Sequence, residues 1–249
     1  MTKFISLIPT FLRDRFKSLN RIILLMLIAI IATEIYMFVE KGPYSGTYLQ
    51  SYTSFWSSLA FLIAFIRLAT FNEKVYQSDS IRLIPASDTK IYLSNLCTTV
   101  IGLLYFMVVQ FVLRVVVSLI TGNSFMRVSG FGTSSGRIAA TVVIAFGIVL
   151  ATIIMAWATI SLIHLIMLSI DAFLPIGRQR LIRGILYIVI SFVIIRLGAV
   201  FFHIYGTLMS GLSLGWGAIL ALFGVLVLVA ALEVVANILL MNKFVETDQ

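Results

Sequence analysis

Long, uninterrupted apolar segments recur along this chain, and each can cross the hydrocarbon core of a membrane. A membrane-spanning helix needs about 17–25 predominantly apolar residues at a rise of about 1.5 Å each. Six segments meet this requirement, with boundaries near 22–39, 55–71, 91–120, 138–170, 181–200 and 216–241. Runs such as IGLLYFMVVQFVL lack the alternating polarity of outer-membrane barrel strands. The sequence therefore predicts an all-α membrane protein with six transmembrane helices in a single domain over 22–241.

The composition supports this class and excludes a water-soluble domain of any size. Hydrophobic residues make up 61% of the chain and charged residues only 11%, whereas roughly a quarter of the residues are charged in soluble domains. The formal net charge of +8 comes from basic residues in the segments between the apolar runs. No such segment is long enough for a folded basic module, so we expect no nucleic-acid partner.

Basic residues in and beside the segments that join the apolar runs are distributed unequally between the two sides of the membrane. Twelve fall on the side of the amino terminus: Lys3, Arg13, Arg15, Lys17, Arg21, Lys74, Arg82, Lys90, Arg178, Arg180, Arg183 and Lys243. Three fall on the other: Lys41, Arg127 and Arg137. Because cytoplasmic loops carry the excess of Lys and Arg, both termini, including the tail 242–249, are predicted to be cytoplasmic.

The first 21 residues predict a helix that lies on the membrane surface. Five large apolar residues fall near one face of a helix: Phe4, Leu7, Ile8, Phe11 and Phe16. Basic residues lie close by, as in an interfacial helix on anionic lipid. The segment is short, contains Pro9 and continues into charged residues, so it does not resemble a cleaved signal. The alternative is a frayed amino terminus.

Charged residues inside the apolar runs predict two clusters of opposite charge. An unpaired charge in lipid costs a few kcal/mol, so partners are expected. When the six spans are threaded through the membrane, Arg67, His164 and Glu233 fall at one depth in the cytoplasmic half. Glu34, Arg114 and Arg196 fall in the outer half. The alternative is that Arg67 and Arg114 extend to the nearest interface.

The sequence shows no pattern typical of a catalytic, cofactor or metal site. Cys97 is the one cysteine, and the two histidines, His164 and His203, lie on different segments. The glycine-rich stretch 129–137 lacks the G-x-x-x-x-G-K-[ST] pattern of a phosphate loop, so we expect no ATP hydrolysis by this chain. Residues 201–214 stay apolar where an outer turn is expected, which favours either a re-entrant segment or a tight apolar turn.

The segment between the second and third runs, FNEKVYQSDSIRLIPASDTKIYLSNL, is the most informative motif. An acidic residue, a short spacer, Arg-Leu-Ile-Pro, Ser-Asp and a lysine precede the third run. This order resembles the first cytoplasmic loop of ABC-2 type exporter permeases. The six-span layout and the interfacial helix are also similar to that family. A short helix that exposes Ile81, Leu83 and Ile84 to water needs a partner or lipid to cover it, and Pro85 ends it.

The resemblance implies a role for this loop, 72–90, and partners for the chain. It assigns coupling to an ABC ATPase subunit to Ile81, Arg82, Leu83, Ile84 and Pro85. It also implies a second permease subunit, either the same or a related chain, and a bacterial cell membrane. The expected function is the permease subunit of an ATP-driven exporter, with an amphipathic peptide, a lipid or a drug as cargo. A polytopic membrane enzyme or an ion-driven secondary transporter is the alternative.

Overall fold

The computed structural model describes residues 4–42, 46–76, 87–122, 135–171 and 216–244, together with the helical residues 184–186, 188, 189, 191, 192 and 196. Within these ranges the chain is helical except at Gly42, Ser87 and Gly122. The main helices are α1 (Phe4–Lys41), α2 (Gly46–Tyr76), α3 (Asp88–Thr121), α4 (Ser135–Asp171) and α5 (Trp216–Phe244).

Each of these five helices is long and apolar enough to cross a membrane. The crossing segments are Ile8–Glu40, Tyr48–Val75, Thr89–Thr121, Val143–Ser169 and Ile219–Asn242. Apolar side chains cover the outside of the helices, including Leu25, Leu62, Phe111 and Leu232. In water this surface would be unfavourable, whereas lipid solvates it. The predicted class, an all-α membrane protein, is confirmed in the described residues; most of 181–200, all of 201–214 and the tail after Phe244 lie outside them.

The amino-terminal segment is the beginning of α1, which continues without a break to Lys41. At about 1.5 Å per residue, its 38 residues extend for ~57 Å, well beyond a hydrocarbon core of about 30 Å. Pro9 lies inside the helix. Its position near the amino-terminal end removes only one early backbone hydrogen bond, so the helix tolerates it. The predicted boundary near residue 21 is therefore not visible as a break in the helix.

The first compact unit, Met1–Gly130, contains α1, α2 and α3, and each helix packs against the other two. Residue pairs between α1 and α3 advance together along both helices, as in Arg15 with Thr98 and Asn20 with Tyr105. These two helices are therefore parallel. Helix α2 runs antiparallel to both, and it returns the chain to the end at which α3 begins.

Gly102 lies where the three helices of this unit come closest. A Cβ atom there would lie 3.3 Å from Leu68 Cδ2 and 3.4 Å from Leu19 Cδ1. Leu19, Leu68, Leu103 and Phe106 are almost fully buried around it. Small residues at such points let helix backbones approach closely, so this glycine fixes the spacing of the three helices.

The second compact unit, Phe131–Gln249, contains the helix pair α4 and α5. A Cβ atom on Gly147 would lie 3.1 Å from the ring of Phe223, and further along both helices Thr159 contacts Glu233. The residue numbers increase together, so α4 and α5 are parallel neighbours. The fourth span was placed at 138–170; α4 extends over Ser135–Asp171, and its crossing segment over Val143–Ser169.

Candidate functional site

A buried arginine joins α1 to α3 near one end of the first unit. Arg15 is only 1% exposed. Its Nη1 donates to the backbone oxygen of Asn95 at 2.8 Å and to Thr98 Oγ1, and its Nη2 donates to Asn95 Oδ1. Several oxygen acceptors around one guanidinium compensate for the loss of water, which makes burial of this charge tolerable.

The same asparagine connects α3 to α2. Asn95 Nδ2 donates to the backbone oxygen of Asn72 at 3.0 Å. Thr99 Oγ1 lies 3.4 Å from Asn72 Oδ1 and 2.9 Å from the Asn95 backbone oxygen. We call Arg15, Asn72, Asn95, Thr98 and Thr99 the Arg15 network. All five side chains are buried, so the network ties three helices together through buried hydrogen bonds.

The Arg15 network lies next to the predicted coupling segment. Asn72 precedes the end of α2 at Tyr76 by about one turn, and Asn95 follows the start of α3 at Asp88 by about two turns. Both ends of the predicted loop 72–90 are therefore helical, and the connection between α2 and α3 is shorter than predicted. The residues assigned to coupling, Ile81, Arg82, Leu83, Ile84 and Pro85, lie outside the described residues.

Further polar contacts continue along the first unit. The Tyr105 hydroxyl donates to Asn20 Oδ1 at 2.7 Å, and its ring packs edge-on against Phe16 at 4.9 Å between centroids. Deeper between the helices, Gln110 Nε2 lies 3.2 Å from Met26 Sδ and 3.5 Å from the Ser57 backbone oxygen. These contacts keep α1, α2 and α3 in one register over much of their length.

The second unit has its own polar contacts between α4 and α5. Thr159 Oγ1 lies 3.0 Å from both carboxylate oxygens of Glu233, so its hydroxyl can donate to either. Asn237 Nδ2 donates to the backbone oxygen of Ala158 at 2.9 Å. Trp157 and Ser161, on the same helix as Thr159, are fully buried. A carboxylate in a membrane-spanning helix is costly, and the threonine supplies part of its solvation.

The predicted charge clusters are distributed over both units. Arg67 is exposed on α2 in the first unit, with its guanidinium carbon 5.4 Å from the Phe71 ring centroid. His164 and Glu233 belong to the second unit. The inner cluster therefore stays a prediction.

The outer cluster also stays a prediction. Glu34 is half-buried on α1, and Arg114 is exposed on α3. Arg196 is exposed, and its guanidinium carbon lies 5.4 Å from the Phe192 ring centroid. Stacking on an aromatic ring one turn away stabilises both Arg67 and Arg196 next to lipid.

The Arg15 network was not predicted from the sequence. Arg15 was counted only as a topological charge on a surface helix, because a single sequence does not show which helix packs against it. The available signal was the spacing of Asn95, Thr98 and Thr99, which places three polar side chains on one face at the start of the third run.

No group of three or more His, Cys, Asp or Glu side chains that could hold a metal ion occurs within the described parts of the chain. Cys97 is exposed on α3, between the buried residues Leu96 and Thr98. Comparison of the chain with family models, with curated proteins and with solved structures found no match.

Proposed function

We propose that this chain is the membrane-spanning permease subunit of an ATP-driven exporter in a bacterial cell membrane. It would work as a pair of permease subunits with ATPase subunits bound at the cytoplasmic face. The cargo would be an amphipathic peptide, a lipid or a drug. Both termini and the segment between α2 and α3 would face the cytoplasm, as the distribution of basic residues indicates.

The Arg15 network is the observation that carries this proposal. A transporter driven by an external ATPase must convert a push on a short cytoplasmic segment into movement of membrane helices. The segment 77–87 is flanked by two helix ends that the Arg15 network joins to each other and to α1. A displacement of that segment would therefore move three helices together and would not be lost in independent bending of α2 or α3.

The parallel packing of α4 and α5 supports the six-span arrangement. If two neighbouring helices cross the membrane in the same direction, the chain between them must return across it. Asp171 ends α4 and Trp216 begins α5. The apolar run 181–200, whose described residues are helical, is long enough for that return. A fifth span at this place gives an even number of crossings.

The test changes the apolar face of the proposed coupling helix. Leu83→Asp should leave the protein folded and inserted but should reduce co-purification of an ATPase subunit and uncouple ATP hydrolysis from transport. The reason is that interfaces concentrate their energy in a few central apolar residues, where loss of a side chain costs about 2 kcal/mol or more. The measurement combines pull-down in detergent with transport and ATP hydrolysis in liposomes.

Arg82→Ala is the matched control, because it changes the polar rim of the same segment and should have a milder effect. Full ATPase binding and full coupling in Leu83→Asp would contradict the proposed function.

Glu233 gives specific support to one alternative, an ion-driven secondary transporter. A carboxylate inside a membrane helix is a frequent component of proton and cation pathways, and here it accepts a hydrogen bond from Thr159 at 3.0 Å. The two functions differ in their energy source. Transport in liposomes that persists without ATP, collapses with an ionophore and is lost in Glu233→Gln would favour the ion-driven transporter.

A further inference from the structure

A cavity of about 200 Å³ lies between the amino-terminal part of α1 and the end of α2. It is lined by Thr10, Phe11, Asp14, Arg15, Phe71, Lys74 and Val75. Cavities that hold drug-sized molecules are larger, about 300–1,000 Å³. A small polar group attached to a longer apolar tail that remains outside is a better match to this volume.

The depth of the cavity in the membrane follows from the helices that form it. Val75 is the last residue of the apolar segment of α2, and Lys74 and Tyr76 lie beside it at the helix end. On α1, Asp14 and Arg15 lie within about two turns of Ile8, where the crossing segment of that helix begins. The cavity is therefore at the boundary between hydrocarbon and water, which is where lipid headgroups lie.

The lining separates into an apolar part and a part that carries charges of both signs. Phe11 and Phe71 are half-buried and Val75 is buried, whereas Asp14 and Lys74 are exposed at the mouth. Arg15 also lines the cavity, but it is only 1% exposed and its guanidinium is hydrogen-bonded to Asn95 and Thr98, so its positive charge is fixed behind the wall. Two positive charges and one negative charge thus surround the same small volume.

This arrangement selects among headgroups. A phosphate diester is attracted by Lys74 and by the fixed charge of Arg15. Asp14 opposes a purely anionic headgroup, but it can accept hydrogen bonds from a primary ammonium, which has three donors. A quaternary ammonium has no N–H and cannot donate to Asp14, although it can contact the faces of Phe11 and Phe71.

We propose that this cavity binds a phospholipid with a phosphoethanolamine headgroup. The phosphate lies at Lys74, with the buried charge of Arg15 behind the wall, the ammonium lies at Asp14, and the glycerol and acyl chains run along Phe11, Phe71 and Val75. The same headgroup chemistry occurs in soluble phosphoethanolamine. The apolar side chains and the position at the membrane interface favour the lipid. This inference does not depend on the proposed transport function.

The test measures lipid retention by the full-length protein. Purified protein is exchanged into mixed micelles that contain equal amounts of phosphatidylethanolamine, phosphatidylcholine and phosphatidylglycerol with identical acyl chains, and the retained lipid is quantified by mass spectrometry. We expect phosphatidylethanolamine to be enriched. Lys74→Gln should reduce its retention about two- to fivefold, as for the loss of one exposed charge pair. Asp14→Asn should remove the preference over phosphatidylcholine.

Lys17→Gln is the matched control, because Lys17 is exposed on α1 and does not line the cavity. It should retain lipid as the unchanged protein does, and circular dichroism should show equal helix content in all variants. Equal retention of the three lipids would overturn the proposal. Enrichment of phosphatidylglycerol that Asp14→Asn does not change would also overturn it. The same holds if Lys74→Gln and Asp14→Asn both retain lipid as Lys17→Gln does. Displacement of the lipid by an equal concentration of soluble phosphoethanolamine would overturn the assignment to a lipid.

Discussion

At the scale of single residues, the burial of Arg15 has a measurable energetic consequence. Asn95→Leu removes one acceptor of the guanidinium and leaves a buried charge with less compensation, which should lower the free energy of unfolding by more than the about 1–3 kcal/mol typical of a stranded neutral group. Arg15→Met removes the charge itself and leaves only neutral acceptors without a donor, which should cost less, about 1–3 kcal/mol. Thermal unfolding of the purified protein in detergent would measure both changes.

The double variant and a neighbouring arginine provide the controls for this prediction. Arg15→Met combined with Asn95→Leu should be less destabilising than the sum of the two single changes, because they remove the same interaction. Arg13→Met, at an exposed position on the same helix, should change stability little. Simple additivity of the first two changes would show that Arg15 and Asn95 do not act together.

The residue scale is also where prediction from the sequence was weakest. Charge counting correctly indicates a membrane protein, but it treats Arg15 and Arg13 alike, although one is buried and the other exposed. The difference arises from α3, whose Asn95 and Thr98 meet Arg15 across 80 or more residues of sequence. A single sequence carries no record of that pairing.

At the scale of helices, hydropathy predicts well that a helix exists. It predicts less well the residues at which the helix begins and ends. The third run was predicted from residue 91 to 120, and α3 extends from Asp88 to Thr121. The second was predicted to begin at residue 55, but α2 begins at Gly46. The stretch 46–54 is polar, yet a hydroxyl group there can be satisfied by the helix itself, as when Ser54 Oγ donates to the Gln50 backbone oxygen. Polarity therefore did not end the helix.

The close contact of α4 and α5 gives a prediction at this scale. A Cβ atom on Gly147 would lie 3.1 Å from Phe223 Cε2. Gly147→Val should force the two helices apart or displace the ring, which should lower the free energy of unfolding by about 1–3 kcal/mol. Phe223→Leu combined with Gly147→Val should restore part of the lost free energy of unfolding. Thermal unfolding in detergent measures the loss.

Gly224→Val is the control for this prediction, because Gly224 also lies in a helix and has no atom within 4 Å of an added Cβ. It carries the same change in helix propensity without the contact. If both valine variants are equally destabilised, the contact between Gly147 and Phe223 does not limit the approach of α4 and α5.

At the scale of the whole molecule, helix direction and charge distribution lead to the same topology. Helices α1 and α3 are parallel, and α2, which lies between them in sequence, is antiparallel to both. If all three helices cross the membrane, residues 77–87 are on the same side as the amino terminus. In the six-span topology predicted from the sequence, twelve basic residues fall on that side and three on the other. The helix directions come from packing contacts, whereas the positive-inside rule uses only the positions of Lys and Arg. The two arguments are therefore independent of each other.

This topology predicts which positions are accessible from outside an intact cell. In a Cys97→Ser background, a cysteine at Ser134 should react with a membrane-impermeant maleimide, because residues 121–137 should face outward. A cysteine at Ser80 should react only after the membrane is permeabilised, because residues 72–90 should be cytoplasmic. Permeabilised cells provide the control that both cysteines are reactive. Labelling of Ser80→Cys and protection of Ser134→Cys in intact cells would reverse the orientation and would place the proposed coupling segment where no ATPase could reach it.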